Sequence, residues 1–420
     1  MITNQMIQGL ITSENIKKAS IQPIKPGQLL YGRVEKFLPN EKALIQIGNG
    51  RVIAQLQTTL LSEEYYWFEV SSATNEGIQL KIVEVKGQNG SANNFLELMN
   101  LPKTKLNEQL WQFFLSKNLP FTTEQFRLAS SFISHPLMTK ECTALEWMLK
   151  REFPFTKLTF QSLVAVQDSQ PFSMQLEQLG KYLDHPKFAE LKSIGSLKQL
   201  ITTILSKQTS YELENGSEVK QLLQSLVHSM GLDYELEVGL WAKNKKPHLE
   251  VTPTLKSVVL RVISELGSDV QELEFIINRL TGMQLLSQDV TNAMQPILMQ
   301  LPISLEGKRS DITLQWNGRK TRSGEIDPDY CQILFYLELK TLKETVIEMQ
   351  IQNKVVHVSV LNDSYNIQPI IEVMTPFLKE KLTSLGYHLS YIKLNPTSGI
   401  SSQLSTESLM GKYQRLDIKI

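Results

Sequence analysis

The feature that most constrains this chain is a run of alternating apolar residues between positions 342 and 360. The stretch LKETVIEMQIQNKVVHVSV carries its apolar side chains at Ile347, Met349, Ile351, Val356, Val358 and Val360. Side chains two positions apart in a strand lie on the same face, so this spacing predicts two strands that meet at a turn at Gln352-Asn353. An isolated hairpin is marginally stable, and its apolar face therefore needs a cover.

The cover follows directly in the sequence. Residues 367–385 repeat apolar side chains at helical spacing, and Gly386 stands where a helix commonly ends. Strand-like runs precede the hairpin (DITLQW and CQILFYLEL) and follow the helix (HLSYIKL). We therefore predict that residues 305–394 form a C-terminal α/β sandwich, in which a β-hairpin is covered by one long helix. A tail follows at residues 395–420.

The first part of the chain is predicted to be a small β domain. After a flexible N-terminus at residues 1–24, residues 25–86 contain five short strand-like runs separated by turn residues. Asn49-Gly50 predicts a type I′ hairpin turn, because both residues tolerate positive φ. Residues 25–86 are therefore predicted to form a small β-barrel-like domain.

The middle of the chain is predicted to be helical. Residues 87–104 are rich in Gly and Asn and are predicted to be a linker, and residues 105–304 repeat apolar side chains three and four positions apart. A Pro-Phe-Thr echo places Thr122 and Thr156 where each can cap a helix. Further helices are predicted at 174–183, 188–206, 217–230, 253–266, 268–280 and 288–300. Residues 234–251 fit either a strand pair or an exposed loop. The fold class is thus an α+β multidomain protein.

Composition excludes several classes of function. Lys+Arg and Asp+Glu both number 43, which argues against a general nucleic-acid binder with a basic face. Cys142 and Cys331 are too few for a disulfide framework or a four-cysteine zinc site, and they suit a reducing compartment. The N-terminus lacks the pattern of a Sec signal peptide, and no apolar run reaches the roughly 18 residues that a membrane span needs.

The sequence also lacks the usual signatures of catalysis. It contains no phosphate-binding loop, no dinucleotide fingerprint, no H-E-x-x-H and no G-x-S-x-G. Its six histidines are scattered without the spacing of metal ligands. We therefore predict a protein that is not an enzyme and that has no cofactor and no metal site.

Two stretches have a competing functional interpretation. The acidic stretch GEIDPDYC could form a metal cup, but Asp-Pro-Asp is a common turn composition, and Arg319, Lys320 and Arg322 are expected to pair with its carboxylates. The N-terminal β unit could be an oligonucleotide-binding barrel. Its candidate stacking residues are Tyr31, Tyr65, Tyr66, Trp67 and Phe68. Because this domain is nearly neutral, a role in the core or toward a partner is favoured for them.

The last domain resembles the C-terminal domain of the flagellar hook-length control protein family (FliK-like, Gram-positive type). In that family an L-x-P-x-x-L-G corner leads into a V-x-V hairpin and then into a helix of the form L-P-x-L-R-x-x-L-x-x-x-G. The matching positions here are Leu337, Leu342, Thr345, Ile347, Pro376, Leu378, Lys379, Leu382 and Gly386. The segment at 277–287 and the N-terminal β unit also look like parts of such chains. The family's corner proline and glycine are Leu339 and Lys343 here, and the leucine that opens the helix pattern is Thr375.

The resemblance implies a type III export specificity switch that works by protein binding. Its implied partner is the cytoplasmic domain of a flagellar export-gate protein (FlhB-like), with hook or hook-cap subunits as further partners. The implied contact residues are Leu342, Lys343, Thr345, Ile347, Leu378 and Leu382, although Leu342 and Ile347 fit a role in the core equally well. The expected location is the cytoplasm, with secretion through the flagellar type III apparatus left open, in which case residues 1–20 would be an uncleaved export signal. Two alternatives remain: a cytoplasmic scaffold that has lost switching, and a single-strand nucleic-acid binder.

Overall fold

The structure is a computed structural model. It describes residues 24–48, 50–56, 60–74, 77–83, 92–188, 191–206, 216–236, 238–239, 253–267, 270–288, 294–305, 308–321, 323–339, 341–364 and 367–396. The described residues divide into two compact units, with the boundary between residues 164 and 165. This division differs from the predicted boundaries at 104 and 304, because helices from the predicted helical region belong to both units.

The first unit, which ends at residue 164, contains a closed β-barrel. Its strands are β1 (Gln28–Leu38), β2 (Lys42–Ile47), β3 (Gly50–Leu56), β4 (Tyr65–Thr74) and β5 (Gly77–Val83), and a short β6 (Phe121–Thr122) pairs with β1. The order β2-β3-β5-β4-β1 closes through a β1–β2 pairing, and β3 and β5 run parallel. The predicted small barrel is thus confirmed.

The predicted turn between β2 and β3 is displaced by one residue. Ile47 pairs with Gly50, so the two-residue loop is 48–49 and Gly50 already belongs to β3. Gly48 supplies the positive φ, at +55°. Asn49 lies outside the described residues.

Five helices follow the barrel strands: α1 (Ala92–Leu98), α2 (Lys105–Lys117), α3 (Thr123–Phe132), α4 (Thr139–Lys150) and α5 (Lys157–Ala165). Residues 92–98 were predicted as linker, and this prediction is wrong because they form α1, in which Phe95 and Leu96 are fully buried.

The predicted cap at Thr122 is confirmed. The Thr122 hydroxyl accepts from the Gln125 backbone N–H at 3.1 Å, and the Gln125 side-chain oxygen accepts from the Thr122 backbone N–H at 2.8 Å. Thr156 caps α5 in a similar way, accepting from the Thr159 N–H at 3.2 Å.

The aromatic residues of β4 lie in two different cores. Phe68 is fully buried inside the barrel. Trp67 points to the other side of the sheet, where its ring centroid lies 5.7 Å from Phe95 and 4.7 Å from Trp111. Neither side chain can stack on a nucleic-acid base. Tyr65 is exposed and stacks on Tyr31 at 5.3 Å, whereas Tyr66 packs against the barrel core.

The second unit combines helices with a six-stranded sheet. Its helices are α6 (Phe172–Tyr182), a 3₁₀ turn (Pro186–Phe188), α7 (Lys192–Ser206), α8 (Gly216–Met230), α9 (Leu255–Leu266), α10 (Gln271–Leu286) and α11 (Ile367–Ser384). Its strands are β7 (Met294–Leu305), β8 (Lys308–Lys320), β9 (Ile326–Leu339), β10 (Lys343–Gln352), β11 (Val355–Leu361) and β12 (His388–Asn395). Most of the ambiguous segment 234–251 and all of residues 397–420 lie outside the described residues.

Residues 288–300 were predicted as a helix, and this prediction is wrong. β7 runs from Met294 to Leu305 and pairs with β8 along its whole length. It lies at the edge of the sheet order β12-β11-β10-β9-β8-β7. Pro296 and Pro302 are tolerated there because an edge strand need not donate every backbone N–H, whereas Pro296 would have removed a hydrogen bond from the interior of the predicted helix.

The predicted hairpin is present, and its turn lies one residue further on. Gln352 pairs with Val355, which makes Asn353 and Lys354 the two loop residues. Both have positive φ, at +49° and +65°, as a type I′ turn requires. The face with Ile351, Val356 and Val358 packs against α11, so the predicted helical cover is confirmed.

The opposite face of the same sheet is also buried, which the alternation did not predict. Glu348 is only 5% exposed, and its Oε1 accepts from the Gln332 and Gln350 side-chain amides at 2.6 Å each. Leu334, Tyr336, Val346 and Leu361 form a small apolar cluster on this side. Helices α6, α7 and α10 pack against β7, and α6 also contacts β8.

The acidic stretch before Cys331 forms part of a strand. The turn is at residues 321–325, where the Thr321 N–H donates to the Glu325 carbonyl at 2.7 Å. β9 then starts at Ile326, and an irregularity in its pairing with β8 accommodates Asp327 and Asp329. The Asp327 carboxylate accepts from the Asp329 backbone N–H at 3.0 Å, which is the local turn that such a composition favours.

The basic residues before this stretch were expected to pair with its carboxylates. The Arg319 guanidinium instead lies over the Tyr330 ring, 5.6 Å from its centroid. Arg322 lies outside the described residues.

Candidate docking site on the C-terminal sheet

The corner between β9 and β10 is the part of the predicted docking site that the structure defines best. Leu339 pairs with Lys343, so the strands are joined by the three residues 340–342. Lys343 has φ +56° and an exposed side chain. L-residues adopt this left-handed conformation at a cost of about 1–2 kcal/mol, which explains why a glycine suits the position. The backbone at Lys343 is thus in the left-handed conformation that glycine adopts without strain, although the residue is a lysine.

A buried asparagine holds the corner from inside. The Asn362 side chain is 4% exposed, and its Nδ2 lies 2.7 Å from the Leu342 carbonyl, 3.1 Å from the Glu344 carbonyl and 2.8 Å from the Thr345 hydroxyl. Its Oδ1 accepts from the Ser364 N–H at 2.7 Å. Asn362 therefore fixes both the corner and the exit of β11. Sequence reasoning missed Asn362 because it stands after the strand pattern ends.

The six residues predicted for partner contact do not share one environment. Thr345 is 2% exposed and Ile347 packs toward α11, so these two position the hairpin. Leu342 and Leu382 are half-buried against the same core. Lys343 and Leu378 are exposed and can reach a partner directly.

Helix α11 carries a second exposed surface, which we call the α11 stripe. Its side chains are 37–72% exposed and comprise Ile370, Val373, Met374, Phe377, Leu378 and Leu385. From Ile370 to Leu378 they repeat at three- and four-residue spacing, so they lie on one side of the helix, and Leu385 follows directly after its last residue. Ile367, Ile371 and Leu382 lie on a neighbouring line and pack on the sheet. The apolar arc of α11 is therefore wider than the sheet covers.

The described residues offer little for covalent or metal chemistry. No group of three or more His, Cys, Asp or Glu side chains among them is arranged to hold a metal ion. Burial raises the pKa of the Cys142 and Cys331 thiols, which keeps them protonated near neutral pH and poor as nucleophiles. In the part of the chain that the structure describes, no helix combines the length and apolar character that a membrane crossing requires.

Comparison with known proteins adds one relative. No protein-family model matches this chain, and no solved structure matches it. The chain is 22% identical to the uncharacterized protein YlqG of Bacillus subtilis (strain 168), in an alignment that covers 94% of each chain. The similarity therefore spans nearly the full length of both proteins, and the relative's description assigns no activity.

The left-handed corner residue allows a direct test of its geometry. Lys343→Gly is expected to raise the free energy of unfolding by about 0.5–1 kcal/mol, because glycine adopts this φ without the Cβ clash. Lys343→Ala removes the same side chain but keeps the Cβ, and it should give no gain. Urea unfolding of the two variants measures the difference, and equal stability would contradict strain at this residue.

Proposed function

We propose that this protein acts by protein–protein binding as a FliK-like export-switch protein. In this proposal the C-terminal sheet docks on the cytoplasmic domain of a FlhB-like export-gate protein, and the contact includes the β9–β10 corner. The partner comes from the resemblance of the corner, hairpin and α11 patterns. No covalent step is required of the chain.

The observation that carries the proposal is the conformation of the corner. Lys343 stands at the position of the family's glycine and has φ +56°. Its side chain is exposed, while the backbone on either side is held by Asn362. A rigid, exposed corner suits a docking site, because little conformational entropy is lost when a partner binds.

The half-buried and buried members of the predicted site have a supporting role in this proposal. Ile347 and Leu382 belong to the core under α11, and Thr345 accepts the bond from Asn362. A substitution at any of these residues would disturb the fold together with binding. The informative substitutions are therefore those at exposed residues.

The chain offers a matched pair of lysines for the test. Lys343 and Lys354 are both exposed and both have positive φ. Lys343 is the first residue of β10, and Lys354 lies in the turn that follows β10. We expect Lys343→Glu to weaken binding of the full chain to the gate's cytoplasmic domain about tenfold, as for a contact worth about 1.4 kcal/mol. Lys354→Glu should change the Kd by less than about twofold. Isothermal titration calorimetry with the partner domain from the same genome provides the measurement.

Each outcome has a definite meaning. Selective loss in Lys343→Glu supports docking through the corner. Equal effects of the two substitutions would remove the corner from the contact. A wild-type chain that is folded and does not bind would overturn the gate proposal and favour the scaffold alternative.

A further inference from the structure

The α11 stripe is comparable in size with the largest apolar patches that monomeric proteins expose. Five large apolar side chains of α11, and Leu385 directly after it, are each between 37% and 72% exposed. Together they present on the order of 600 Å² of apolar surface, at the upper end of the largest patch on a typical monomer. A standard protein interface buries roughly 800 Å² per partner, so the stripe and its immediate border supply the area that one stable contact needs.

We infer that a second copy of this chain covers the stripe, and that the two α11 helices pair antiparallel about a two-fold axis near Phe377. Such a contact uses the same surface on both copies and requires a surface that is complementary to itself. This inference concerns α11 and does not depend on docking through the corner, although Leu378 belongs both to the stripe and to the residues predicted for partner contact.

The arrangement of the stripe fits that symmetry. Ile370 lies seven residues before Phe377, and Leu385 lies eight residues after it. In an antiparallel pair each end of one stripe therefore meets the opposite end of the other. Val373 lies four residues before Phe377, so it faces the position four residues after Phe377 on the other copy.

The positive charge of Lys381 also favours the antiparallel arrangement. Lys381 lies four residues after Phe377, among the apolar positions. In an antiparallel pair the two lysines lie on opposite sides of the axis, about 12 Å apart along the helix direction at 1.5 Å per residue. A parallel pair would place them side by side, and like charges in contact are unfavourable. In the antiparallel pair, the stem of each Lys381 covers Val373 of the other copy while its ammonium group reaches water.

The test measures self-association of the full chain by sedimentation equilibrium between about 1 and 100 μM, the range in which a weak-to-moderate dimer dissociates. Phe377→Glu places a charge at the centre of the stripe. Thr383→Glu makes the same change in charge on the exposed polar side of α11 and serves as the matched control. We expect a concentration-dependent dimer for the wild type and for Thr383→Glu, with the dissociation constant raised at least tenfold in Phe377→Glu.

Two results would overturn the inference. One is a wild-type chain that stays monomeric throughout this range, and the other is a dimer that Phe377→Glu leaves unchanged. Phe377 is 61% exposed, so its substitution should preserve the fold, which circular dichroism checks. Gate binding by the Phe377→Glu monomer remains measurable through the intact corner, so failure of dimerisation and failure of the proposed function give different results.

Discussion

Arg279→Met is expected to lower the free energy of unfolding by about 3–5 kcal/mol, the usual cost of removing one partner from a buried charge cluster. The Arg279 side chain is 3% exposed. Its Nε donates to Gln300 Oε1 and its Nη1 to the Gln170 carbonyl, each at 2.8 Å. Burial lowers the pKa of Arg279 to about 10, which still leaves it charged near neutral pH.

Loss of this charge would also leave Asp311 without its cationic neighbour. Burial raises the pKa of the Asp311 carboxyl, while its bonds to the start of α6 and the nearby Arg279 oppose that rise. Its Oδ2 accepts from the Ser173 N–H at 2.9 Å, so Asp311 joins β8 to α6. The cluster therefore connects helices α6 and α10 to the sheet.

Urea unfolding at neutral pH measures the effect. Arg261→Met removes an exposed arginine from α9 and should cost less than about 0.5 kcal/mol. The double variant Arg279→Met with Asp311→Asn should recover part of the loss, because it no longer buries an uncompensated carboxylate. A loss below about 1 kcal/mol in Arg279→Met would show that Arg279 does not stabilise this cluster.

Asn362→Leu should lower the free energy of unfolding by about 2–4 kcal/mol. Leucine has similar size but cannot donate to the two corner carbonyls, and it leaves the Thr345 hydroxyl buried without this donor. Asn362→Asp keeps the acceptor for the Ser364 N–H but replaces the donor with a charge, so it should cost at least as much.

Hydrogen exchange locates the change. Amides of residues 342–345 should lose protection in Asn362→Leu, whereas those at the far turn, residues 352–355, should change little. Uniform loss along β10 would contradict a local role for Asn362 at the corner. Thr345→Val isolates the hydroxyl and should cost about 1 kcal/mol, less than either change at Asn362.

Local patterns were enough to identify most individual elements. Strict alternation from Ile347 to Val360 predicted the β10–β11 hairpin, because side chains two apart in a strand must share a face. The helical repeat before Gly386 predicted α11. The β2–β3 turn and the β10–β11 turn each lie one residue from the predicted position. Several neighbouring residues tolerate positive φ, so the pairing of the whole ladder sets the position of each turn.

The errors have a common physical origin in long-range contacts. Residues 294–305 are a strand because β8 pairs with them, although their apolar spacing also fits a helix. Residues 92–98 are helical because Phe95 packs on Trp67 and Trp111, which stand far away in the sequence.

Periodicity therefore settled which residues share a face, and with it the barrel, the hairpin and the long helix. Only the tertiary structure decided what lies against each face. It buried Glu348 on a side of the sheet where a charge is normally expected in water, enclosed Arg279 between helices and sheet, and left the α11 stripe uncovered by the residues that the structure describes. The reason is that a local repeat depends on backbone geometry alone, whereas burial depends on neighbours that the chain brings together from distant positions.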